Sequence, residues 1–209
     1  MKIVSMLKLG LILALFAAAA CVMLAFVYSG TSAIIAQRQQ ADLTAALKEL
    51  FPDADNFREI DDIQSPDPAV IIESAYAAMT DNKIAGAAVR VSRASYGGPV
   101  KIMAGVGVSG TITGVKIMEH SDTPGLGANI ASPSYYVDRA KGITFYGQFT
   151  GKKTADPLEV NRDIAAVTAS TISSRAVADS VKAAGLAAEA WFNGEKADAI
   201  SGASKGGAE

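Results

Sequence analysis

The chain has 209 residues, a formal net charge of −2, one cysteine and one histidine. Half of its residues are hydrophobic and its mean hydropathy is positive, +0.24, which is more apolar than an ordinary soluble domain. A single cysteine excludes an intramolecular disulfide and any cysteine-based metal site, and a near-balanced charge with no basic patch among aromatics argues against nucleic-acid binding.

The apolar excess sits at one end. From Leu9 to Tyr28 the sequence is uncharged and almost wholly apolar, and about 20 such residues suffice to cross a bilayer as a helix. Ala17 to Ala20 offer small residues to a signal peptidase, but the apolar run continues through Tyr28, longer than the hydrophobic region of a signal peptide. The span therefore reads as a retained anchor. Cys21 follows alanines, as a lipoprotein cysteine would, yet Ala18 stands where a larger aliphatic is usual and apolar sequence follows. It is read as a small thiol within the membrane helix. Lys2 and Lys8 precede the span and the first basic residue after it is Arg38, so the positive-inside rule places the N-terminus in the cytoplasm and the main domain outside it. The expectation is a single-pass protein of the cell inner (cytoplasmic) membrane, with residues 1–30 as cytoplasmic start and anchor.

Residues 31–69 read as a helical stalk and linker. Ile34, Ile35, Leu43, Leu47 and Leu50 interleave with polar residues, and Pro52, Pro66 and Pro68 break the pattern. The acidic residues between them are read as a solvated surface. A sheet follows. Segments 70–76 and 84–91 are apolar and partly alternating, joined by the turn-prone Thr80-Asp81-Asn82, and read as a hairpin. Tyr96-Gly97-Gly98-Pro99 is a further turn. Segments 100–108 and 111–120 form a second hairpin across Ser109-Gly110. The apolar positions Ile112, Val115, Ile117 and Met118 do not keep a period of two, which predicts a bulge near Gly114. With a helix beyond it, the fold class is α+β: an antiparallel sheet packed with helices.

The segment His120-Ser-Asp-Thr-Pro-Gly-Leu-Gly127 places Pro124-Gly125 in a tight turn, with glycines flanking Leu126 so that backbone amides can approach a ligand. Read alone, it is a connection like many others. His120 sits at a strand end with no nucleophile or second carboxylate to complete a hydrolytic set, and is read as structural. Tyr135, Tyr136, Phe145, Tyr146 and Phe149 are dense enough to be core, although they could wall a pocket. Thr168, Ser170, Thr171, Ser173 and Ser174 then crowd together just before an apolar pattern through Val177, Val181 and Leu186. A helix is predicted to begin near Ile172 with Thr171 as N-cap. Its free amides and positive dipole end would stabilise a phosphate carried there. By themselves these hydroxyls are an ordinary N-cap.

The segment Thr168-Ala169-Ser170-Thr171-Ile172-Ser173 resembles the flavin-attachment motif of the FMN-binding domain found in the G subunit of the Rnf electron-transport complex and in the C subunit of the Na+-translocating NADH:quinone oxidoreductase. The family pattern is Ser/Thr-Gly-Ala-Thr-x-Ser/Thr, with FMN joined through a phosphoester to the threonine before the variable position. Thr171 matches that threonine, Thr168 the first position and Ser173 the last, whereas Ala169 and Ser170 replace the family's glycine and alanine. An acidic residue common six positions before the acceptor is Ala165 here, and Asp163 is the nearest substitute. Asp122-Thr-Pro-Gly-Leu-Gly127 is similar to the family's Glu/Asp-Thr-Pro-Gly-Leu-Gly loop, which contacts the isoalloxazine.

This resemblance implies an FMN-binding domain over residues 70–195, with Thr123, Gly125, Leu126 and Gly127 at the flavin ring and Thr168, Ala169, Ser170, Thr171, Ser173 and Ser174 around the phosphate. It implies covalent FMN, supplied by a flavin transferase, and an electron-transfer subunit of an ion-translocating Rnf-type complex whose other subunits are its partners. The chain length is closer to the Rnf protein than to its longer quinone-oxidoreductase counterpart. The alternatives are a membrane-anchored assembly module with this fold and no covalent flavin, or the corresponding subunit of a Na+-translocating NADH:quinone oxidoreductase. Residues 196–209 read as a flexible tail, although Asp198-Ala-Ile-Ser-Gly-Ala-Ser204 also resembles the attachment pattern and makes Ser204 a rival acceptor.

Overall fold

The computed structural model describes residues 2–205. The chain divides into two units, Met1–Ala45 and Ala46–Glu209.

From Lys2 onward the first unit is helical, as part of α1 (Lys2–Leu50). Its side chains over the apolar run are exposed, including Leu11, Phe16 and Phe26. A helix of the interior of a soluble domain would have buried them; this one presents apolar groups on every side, as a lipid-facing helix does. Among the described residues it is the one helix long and apolar enough to cross a membrane. Just past the run, Ser29 and Thr31 donate to the carbonyls of Phe26 (3.1 Å) and Val27 (2.8 Å), so the first hydroxyls are satisfied within their own turn.

The second unit is built on a five-stranded antiparallel sheet in chain order, β1 (Asn56–Glu59), β2 (Val70–Thr80), β3 (Lys83–Ala94), β4 (Pro99–Gly107) and β5 (Ile112–Glu119). The first strand lies in the segment expected to be linker; it pairs with the far end of β2 through Asn56↔Met79 to Glu59↔Tyr76. Local sequence did not reveal it because a four-residue edge strand, Asn-Phe-Arg-Glu, carries almost no apolar pattern of its own. The β2–β3 turn holds Asp81 and Asn82 at φ of 50° and 61°, the paired left-handed residues of a two-residue hairpin. On β5 the register passes from Gly105↔Gly114 to Val106↔Ile112. Thr113 is therefore the extra residue of the expected bulge.

Both faces of β3 and β4 are buried, which explains why these strands read as nearly continuous apolar runs. One face packs against α2 (Thr171–Lys205) through Val177, Val181, Ala184 and Ala188. Against the other face, the side chains of Leu50 and Phe51 occupy space that Gly86 and Gly105 leave open, and a Cβ on Gly105 would stand 3.2 Å from the Phe51 ring. Between β5 and α2 the chain forms 3₁₀ turns at Gly127–Ala131 and Gly147–Phe149 and a small ribbon of β6 (Tyr136–Asp138) and β7 (Ile143–Thr144). Phe145 and Phe149 are fully buried edge to face, ring centroids 5.9 Å apart. The backbone of α2 continues through residue 205, so residues 196–205, expected as tail, are helical; 206–209 lie outside the described residues.

Candidate functional site

The loop after β5 is held by Asp122. Its carboxylate accepts the Ser95 hydroxyl at 3.1 Å and the Gly97 amide at 2.9 Å, tying the 122–127 loop to the turn after β3. That turn is itself closed by Ser95 N–H donating to the Gly98 carbonyl at 2.9 Å. Tyr96 is thereby presented outward on a braced turn, 75% exposed. Within the loop the amides of Leu126 and Ala128 both donate to Thr123 O at 3.2 Å. Gly125 has φ of 77°, a conformation in which a side chain is strained. Gly127 is required for a different reason: a Cβ there would stand 2.7 Å from Asp122 Cβ and 2.9 Å from Ser173 Oγ.

The contact with Ser173 brings in the other motif. The segment leading to α2 is restrained by three side chains. Gln148 makes a paired contact with Ala165, accepting its amide at 2.8 Å and donating to its carbonyl at 3.1 Å. Ser174 Oγ accepts the Val167 amide at 2.9 Å and donates to Ser170 O at 2.9 Å. The Tyr135 hydroxyl accepts the Thr168 amide at 3.1 Å and donates to Thr168 Oγ1 at 3.2 Å. The chain then turns through Ala169 at φ of 60°, and the Ser174 amide bonds Ser170 O at 3.0 Å. Ser170 is therefore the N-cap and Thr171 the first helical residue. This shifts the expected cap by one residue and leaves the Thr171 side chain exposed.

A pocket of ≈ 440 Å³ opens where the two motifs meet, lined by Tyr96, Asp122, Thr123, Leu126, Gly127 and residues 169–173. Its size falls in the range of small-molecule sites, about 300–1,000 Å³. Of the residues expected from sequence, Thr123, Leu126, Gly127, Ala169, Ser170, Thr171 and Ser173 line it. Gly125, Thr168 and Ser174 do not; they shape the backbone behind it. Tyr96, Asp122 and Ile172 also line it; the sequence reading held them within its motifs and turns without assigning them to the flavin. The available signal for Tyr96 was an aromatic beside two turn glycines, but only the bonds of its neighbours Ser95 and Gly97 to Asp122 bring it to the pocket.

Other expectations resolve differently. Asp163 is not a pocket acid: its carboxylate accepts the amides of Glu159 (2.7 Å) and Leu158 (3.1 Å) and faces Lys152 Nζ at 3.4 Å. Burial would raise its pKa, but those two amides and the Lys152 ammonium outweigh it and hold the carboxyl below its ordinary range. It braces the loop that leads to Ala165. His120 and the aromatics from Tyr135 to Phe149 do not line the pocket. Ser204 falls within the backbone of α2 rather than at a helix start, and its side chain lies outside the described residues.

Comparison with known proteins matches two separate parts of the chain. The FMN-binding domain family matches residues 95–186, and the RnfG N-terminal region matches residues 1–50. The chain is similar to the G subunit of the Na+-translocating ferredoxin:NAD+ oxidoreductase complex of Acetobacterium woodii, 31% identical over 83% of this chain and 87% of that protein. It is 33% identical to the G subunit of the proton-translocating ferredoxin:NAD+ oxidoreductase complex of Clostridium ljungdahlii, over 78% of this chain and 80% of that protein. The G subunit of an ion-translocating oxidoreductase complex of Shewanella piezotolerans is 30% identical, covering 94% of each chain.

Proposed function

This chain belongs to the G-subunit family of ion-translocating oxidoreductase complexes, and from that premise we propose that it is the anchored electron carrier of such a complex, with FMN esterified to Thr171. The observation that carries the proposal is the meeting of two separated motifs at one pocket, with an exposed threonine hydroxyl at its edge on the first turn of a 35-residue helix. The residues present fit the group. Free amides of the first turn and the positive end of the helix dipole suit a phosphate dianion. The apolar Leu126 and Ile172 and the Tyr96 ring offer surfaces to an aromatic ring system.

When bound, the flavin supplies the electron exchange. The chain's own residues hold and orient it. The Tyr135, Gln148 and Ser174 contacts fix the segment before Thr171, Gly127 lets the two motifs close together, and the exposed Tyr96 side of the pocket leaves the ring accessible to redox partners. Covalent attachment suits a carrier that faces solvent outside the cytoplasm, where a cofactor held by weak contacts alone would be lost. The positive-inside pattern orients the domain away from the cytoplasm, and its partners are the other subunits of the complex. A flavin transferase acting on FAD would install the FMN. The chain is not expected to be catalytic alone.

The alternative, an assembly module without flavin, draws on the replacement of the family's Gly-Ala by Ala169-Ser170. Intact mass and in-gel flavin fluorescence of the denatured full chain, matured beside a flavin transferase, separate the two. A flavin adduct on wild type that disappears in Thr171→Ala is the expected result. If both chains run at their unmodified masses, differing only by the Thr-to-Ala change itself, attachment at Thr171 is refuted, and loss of fluorescence only in Ser204→Ala assigns the acceptor to the C-terminal motif.

A further inference from the structure

We propose that Asp122 tunes the redox potential of the site: its carboxylate, held in the pocket wall, opposes the gain of negative charge by a flavin ring and lowers the flavin's midpoint potential. The inference rests on the proposed function, since it requires the ring to occupy this pocket. Asp122 is 6% exposed and is the one ionisable residue among the described buried ones. Its hydrogen-bond donors, the Ser95 hydroxyl and the Gly97 amide, are neutral. Other acids of the domain stand beside cations: Asp67 and Asp179 share Arg93, Asp163 faces Lys152, and Glu73 and Glu119 share Lys101. No such pair forms at Asp122 among the described residues.

A buried carboxylate without a counter-ion is costly to keep. One role is the clamp that joins the turn after β3 to the 122–127 loop. A neutral side chain could also clamp, so the clamp alone does not require a charge. The charge lies on the wall of a pocket, where water screens it less than at an open surface. Taking up two electrons and one proton leaves an isoalloxazine ring with one added negative charge, and adding that charge beside a fixed carboxylate is less favourable than adding it in water. The residue thus biases the bound flavin toward its oxidised form and makes its reduced form a stronger electron donor.

The test is a spectroelectrochemical titration of the flavin-loaded full chain in detergent, comparing wild type, Asp122→Asn, Asp122→Ser and Ser95→Ala. The two neutral replacements remove the charge; Ser95→Ala loosens the clamp and keeps the charge. The expected result is a rise in midpoint potential in both neutral replacements of about tenfold in the reduction equilibrium, about 30 mV for a two-electron couple, with a much smaller change in Ser95→Ala. If one replacement fails to mature, the other decides. A potential unchanged or lowered in the neutral replacements, or an equal shift in Ser95→Ala, overturns the inference while the flavin adduct leaves the proposed function standing. A wild-type chain that carries no adduct and binds no flavin removes both.

Discussion

Ala169 offers the sharpest test of how the attachment segment is built. It holds φ of 60°, where an L-residue with a Cβ is disfavoured by about 1–2 kcal/mol. Ala169→Gly removes that strain. Against this, glycine loosens the unfolded chain and costs roughly 0.4–1 kcal/mol. The Ala169 methyl is exposed, so little apolar burial is lost. The balance is a stabilisation of about 0.5 kcal/mol, which for a domain of this size raises Tm by roughly 1–2 °C. A control gives the comparison its power. Ala190 is also exposed but lies within α2, where the same change costs about 1 kcal/mol. Thermal unfolding of the two variants in detergent should therefore differ in sign, with a gap of about 1.5 kcal/mol. Equal destabilisation by both would show that Ala169 is not strained in the folded chain, and the physical reason for a glycine at this position of the family pattern would fail with it.

Two further outcomes follow from the same geometry. Gly127→Ala places a methyl 2.7 Å from Asp122 Cβ and 2.9 Å from Ser173 Oγ; it should cost about 1–3 kcal/mol and reduce flavin loading, whereas unchanged stability and loading would mean that the two motifs do not close on one another. For Asp163, the folded-state pKa is held below the unfolded value of about 4, so its contribution is present above that value and is lost as pH falls through the folded one. Wild type should lose stability in that acid range while Asp163→Asn shows a flatter acid limb; parallel pH profiles would contradict the bracing role.

What could be read along the chain is what depends on neighbours in sequence. An uncharged apolar stretch announces an anchor because lipid solvation acts on each turn of helix independently of any tertiary contact. Asp81-Asn82 and Ser109-Gly110 disclose their hairpins through turn chemistry, and the Val177–Val181 pattern places the start of α2 within a residue. The bulge at Thr113 was visible because it breaks a period of two. Thr171 and the Thr123–Gly127 loop were legible only through resemblance, since hydroxyls before a helix and a Pro-Gly turn are common chemistry.

The tertiary structure alone decided how these parts meet. Asp122 reaches Gly97 across 25 residues and Tyr135 reaches Thr168 across 33, and no local pattern encodes a hydrogen bond over such separations. The same holds for the pairing of β1 with β2, for the positive φ at Ala169, and for the shift of the helix cap from Thr171 to Ser170. The burial of a single carboxylate in the pocket wall belongs to this class as well. Each of these depends on which surfaces the sheet and α2 press together, and therefore on packing between distant segments rather than on the preferences of any one of them.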